Sequence, residues 1–175
     1  MAVQSSTVSA AAAPSRSSEA SRIYAEGINA GILGAAAIAI WFFVLDAIAG
    51  RPFFTPSILG SALFRRGVPM EQLPSLPVSL EMVLMYTWVH GLVFCVIGGV
   101  AAKLLSLAER NVNFGFGVLL FFVIFEFGFV VAGLIFAEPV LHALVWPAVL
   151  LGNLLAASAM GLYFWHRHPA LSIWP

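Results

Sequence analysis

Four long apolar runs divide the chain, at about residues 28–49, 80–105, 114–136 and 140–165. Each is near the roughly 20 residues that an α-helix needs to cross a hydrocarbon core about 30 Å thick. The first run stops at Gly50-Arg51-Pro52, a combination that ends a helix and places a cation beyond it. The last stops at His166-Arg167-His168-Pro169. Two connections, near Arg110 and Glu138, are short, and short connections join antiparallel neighbours. The pattern therefore predicts an all-α, polytopic membrane protein: an up-and-down four-helix transmembrane bundle over residues 25–168.

The connection from residue 50 to 79 is longer. Within it, Thr55-Pro56 predicts an N-cap followed by proline at the first helical position. Residues 57–64 would form a short helix lying in the membrane interface, closed by Arg65-Arg66-Gly67. The proline-rich stretch 69–77 predicts an extended link into the second run. Residues 1–24 are rich in Ser and Ala and predict a disordered tail. They show no basic start followed by an apolar core, which argues against a cleavable signal peptide.

Composition agrees with a membrane protein. The chain is 61% hydrophobic and 9% charged, with a mean hydropathy of +0.99. Soluble domains are about 25% charged, so a soluble globular fold is excluded. Eight Lys and Arg balance eight Asp and Glu, so no global basic field draws nucleic acid. The single cysteine, Cys95, excludes an intrachain disulfide and a cysteine-based zinc cluster. Arg16, Arg22, Lys103, Arg110 and Arg167 fall at one end of the bundle, and Arg51, Arg65 and Arg66 at the other. That bias predicts both termini in the cytoplasm.

Helices in lipid associate through close packing and hydrogen bonds. The first run carries Gly27, Gly31, Ala35 and Ala39 at four-residue spacing. The second carries Thr87, Gly91, Cys95, Gly98 or Gly99, and Ala102 along one face. These stripes are packing seams, within one chain or between two copies. Cys95 reads as an inert small filler in such a seam.

Polar residues at bilayer depth are costly and invite explanation. His90 and Glu126 each lie about 15 Å from the outer end of their helices at 1.5 Å per residue, which allows a bond between them. Asn153, about 20 Å along the fourth helix, is expected slightly deeper. Asp46, Arg51, Glu81 and His142 form an outer polar layer, in which Asp46 and Arg51 predict a charge pair or a helix-end anchor. His142, Trp146, Val149, Asn153, Ala156 and Met160 share one face of the fourth helix, interrupted by Pro147. Such groups act either as interhelical glue, at about 0.6–2 kcal/mol per bond, or as a proton, ion or ligand path.

No cofactor is expected. His90 and His142 differ by about 12 Å in depth, which argues against paired haem ligands. There is no Glu-x-x-His pair within the runs, no Walker loop, no dinucleotide fingerprint and no nucleophile elbow. No metal site is expected either.

Two stretches carry a resemblance. One is Trp41-Phe-Phe-Val-Leu-Asp46-Ala-Ile-Ala-Gly50-Arg51-Pro52 with Thr55-Pro56 and Leu59-Gly60. The other is Gly152-Asn153-Leu-Leu-Ala-Ala with Met160-Gly161 and Tyr163 through His168-Pro169. They resemble a group of small bacterial four-helix integral membrane proteins to which no activity is assigned. The resemblance implies a bacterial cytoplasmic membrane and a fold, and brings no catalytic residue. With no catalytic constellation, the expectation is a non-enzymatic accessory or structural subunit. Its partners would be the lipid bilayer and a homo-oligomer or larger membrane complex. The alternatives are a proton- or ion-coupled transporter or channel component using His90 and Glu126, and a binder of a small apolar or quinone-like ligand beside Trp146 and Pro147.

Overall fold

A computed structural model describes residues 16–108 and 146–168. The third apolar run, the first residues of the fourth, and with them Glu126 and His142, lie outside the described residues, as does the tail before residue 16. The described residues are helical throughout their regular structure, with no strand. Helix α1 spans Arg16–Ile48, α2 Phe54–Phe64, α3 Leu80–Ala108 and α4 Trp146–Arg167, with a short 3-10 helix at Met70–Ser75 between α2 and α3.

Three of these helices are long and apolar enough to cross a membrane: Glu19–Ile48, Leu80–Leu107 and Pro147–Arg167. Their outward surfaces are apolar. Ile48 is 80% exposed, Trp88 72% and Leu84 70%, a surface suited to lipid and untenable in water. Helix α1 starts well before the apolar run and takes in residues 16–24, where the composition predicted a tail. The apolar run supplies the nucleus, and adding turns to an existing helix costs little. Glu19 in the first turn also suits the positive end of the helix.

Helix α1 is the hub. It packs on α3 along one side and on α4 along another, while α3 and α4 meet each other far less. The α1–α3 contact is glycine on glycine. A Cβ on Gly27 would come within 2.5 Å of Gly99 Cα, and one on Gly98 within 2.7 Å of the Gly31 nitrogen. A Cβ on Gly31 would press on the Phe94 carbonyl and lie 2.9 Å from Cys95 Cα. These seams therefore join helices of one chain. They do not run the full length of the stripes. Ala39, Thr87 and Gly91 fall beyond the close contact: Ala39 and Thr87 are exposed, and Gly91 has open space at its Cβ position. On the α4 side, Gly34 faces Met160 and Gly152 faces Trp41 and Phe42. Ala30, Ala102 and Phe164 close a small core where all three helices converge.

The corner after α1 is tightly specified. Gly50 adopts φ +71°, Arg51 N–H donates to the Asp46 carbonyl at 2.8 Å, and Gly50 N–H to the Ala47 carbonyl at 3.0 Å. This is a glycine-terminated helix end in which the last carbonyls find partners beyond the helix. Phe53 follows at φ 65°, left-handed for a non-glycine residue, with its ring 5.0 Å from that of Phe43.

Candidate functional site

Helix α2 begins at Phe54, with Phe53 in the cap position and no capping bond from Phe53's own side chain. Thr55 is therefore inside the helix and does not cap it. The cap comes from α1. Asp46 Oδ2 accepts the Thr55 backbone N–H at 2.7 Å, and Asp46 Oδ1 accepts the Thr55 hydroxyl at 2.7 Å. A carboxylate at a helix N-terminus meets unpaired N–H groups and the positive end of the helix dipole. Asp46 is buried, and both of its oxygens have partners.

The outer polar layer is thus divided. Among the described residues no ion pair joins Asp46 to Arg51. Arg51 instead lays its guanidinium over the Phe54 ring, 3.7 Å from the centroid. Of the two expectations for this pair, the helix-end anchor fits Asp46 and the charge pair fails, because Thr55 takes the carboxylate. Glu81 is exposed in the first turn of α3, away from Asp46's bonds.

Deeper in the spans, His90 sits in a ladder of rings along α3. Its centroid is 5.6 Å from Tyr86 and 4.7 Å from Phe94. Its Nε2 is buried and has no hydrogen-bond partner among the described residues. Gly31 lies against Phe94, which puts His90, one turn away, level with Ala35, whereas Gly152 lies against Trp41. Asn153 consequently lies about 7–8 Å nearer the C-terminal end of α1 than His90, at 1.5 Å per residue of α1. It was expected slightly deeper. Its depth is set by how α4 docks on α1, with Met160 at Gly34, and not by where the apolar run starts. Asn153 is half-buried.

Two ties between α1 and α4 were not singled out from the sequence. Trp41 Nε1–H donates to the Ala148 carbonyl at 2.8 Å. Gly152 makes this reach possible, since a Cβ there would lie 3.0 Å from Trp41 Cδ1. At the other end, Glu26 Oε2 lies 3.2 Å from His168 Nε2 and Glu26 Oε1 lies 3.4 Å from Arg167 Nε. The Glu26 side chain is 12% exposed. The signals were present: an indole N–H in an apolar run needs an acceptor. The antiparallel order also puts the start of the first helix beside the end of the fourth.

No group of three or more His, Cys, Asp or Glu side chains is placed to hold a metal among the described residues. What the arrangement does chemically is join helices. No protein-family model matches the chain, and no significant match was found among curated proteins or solved structures.

Proposed function

We propose that the chain is a non-enzymatic accessory or structural subunit of a membrane assembly, built as an up-and-down four-helix bundle in a bacterial cytoplasmic membrane with both termini inside. The observation that carries this reading is the use of polar groups. Asp46, Trp41 and Glu26, each costly within or beside a bilayer, are each engaged in tying one helix to another. The four-helix order draws support from the hub arrangement. In a ring of four, the first helix touches the second and fourth, and those two are diagonal, as α3 and α4 are around α1. The third apolar run would take the place opposite α1. The charge bias of the helix ends supports the orientation.

One observation favours a second reading. The Nε2 of His90 is buried with no hydrogen-bond partner among the described residues, and Glu126 is the sequence's candidate partner at similar depth. That pair would serve a proton- or ion-coupled transporter or channel component. Glu126→Gln separates the two. The accessory reading predicts altered assembly in native membranes and no proton or cation flux from purified wild-type protein in liposomes. Flux in the wild type, lost in Glu126→Gln with assembly intact, would overturn it.

A further inference from the structure

Helix α2 is built inside out. It carries three hydroxyl side chains, Thr55, Ser57 and Ser61, and all three are buried. They turn toward the rest of the protein: Thr55 bonds Asp46, and Ser57 Oγ accepts the Ser79 N–H at 2.9 Å just ahead of α3. Gly60 lets the helix lie directly on the Met82 backbone. Every α2 residue that is not buried is apolar: Phe54, Leu59 and Ala62 pack on the Ile58–Leu73 cluster beside the 3-10 helix, Pro56 is half-buried, and Leu63 and Phe64 are exposed. Leu63 is 61% exposed. A helix resting on the membrane surface shows the opposite pattern, with its polar face to water. Leu80 and Leu84 of α3, the helix on which α2 lies, and Ile48 at the end of α1 are strongly exposed as well.

We infer that α2 is embedded in one leaflet of the bilayer, its outer face covered by acyl chains, with the Arg65 and Arg66 guanidiniums reaching the headgroup phosphates. At 11 residues the helix is about 16 Å long, half of a hydrocarbon core, so it enters one leaflet without crossing. Arginine at its C-terminal end suits both the negative end of the helix dipole and an anionic headgroup, and the long side chain carries its charge out to the interface. The corner at Gly50 and Phe53, gripped by Asp46, holds the helix at this angle to α1.

The test is a nitroxide scan in liposomes of phosphatidylcholine with a minority of phosphatidylglycerol, on a Cys95→Ala background. Labels are placed at Leu63→Cys, Phe64→Cys and Arg66→Cys, with Leu84→Cys on α3 as the lipid-facing reference. The expected result is that Leu63 and Phe64 match Leu84, more accessible to oxygen than to a water-soluble nickel chelate, and that Arg66 shows the reverse. Nickel access at Leu63 and Phe64 with Leu84 still in lipid would overturn the inference and leave the membrane fold standing. Protection of Leu63 and Phe64 from both reagents would overturn it too, since protein would then cover the face. Nickel access at Leu84 as well would contradict the membrane reading itself.

Discussion

Gly98 has no side chain because its neighbour leaves no room for one. The α1 backbone at Gly27 and Gly31 occupies that space, and backbone cannot move aside as a flexible side chain can. Gly98→Leu should therefore separate α1 from α3 and cost about 3 kcal/mol or more, the upper range for overpacking. Gly91→Leu, at the open position of the same stripe, should cost far less. Thermal unfolding in mild detergent compares the two, and equal losses would refute the seam. Asp46 offers a second test at this scale. Asp46→Ala removes the cap of α2 and should lower stability by about 1–2 kcal/mol. Asp46→Asn keeps one acceptor oxygen and should fall between. In an Asp46→Ala, Thr55→Val double-mutant cycle the two losses should not add.

Among the elements, α1 is the one on which the others depend, and its two ties to α4 differ in kind. The Trp41 bond to Ala148 is enclosed between helices. Trp41→Phe keeps the ring and loses the N–H, which predicts a loss of about 0.6–1.7 kcal/mol, in line with interhelical bonds elsewhere. The Glu26 tie involves Arg167, which is 58% exposed, so Glu26→Gln should cost less than about 1 kcal/mol and the cost should shrink with added salt. A salt-insensitive loss at Glu26 would mean that burial, not charge, fixes the contact.

For the molecule as a whole, the apolar runs made the spans legible, because length and hydropathy are local properties of the sequence. The glycine seam was legible for the same reason, although its extent was not: Ala39 and Gly91 share the stripe, yet Ala39 is exposed and Gly91 has open space at its Cβ position. The cap of α2 was misread at Thr55. A Thr-Pro pair is a local signal, and the actual cap is a carboxylate nine positions upstream on another helix. Asn153 was placed too deep because depth was counted from the end of an apolar run, whereas docking at Gly34 and Trp41 sets the level. The inside-out character of α2 was hidden because its composition alone does not say which face meets protein.

The reading of the whole chain as an accessory subunit rests on polar groups that bind helix to helix and leave partners to the surface. Purification from native membranes in mild detergent, with every co-purifying species identified by mass, tests it most directly. The account predicts a foreign subunit in fixed stoichiometry with this chain. Recovery of the 18.7 kDa protein alone, or of its homo-oligomer, would contradict the account and turn attention to flux through His90.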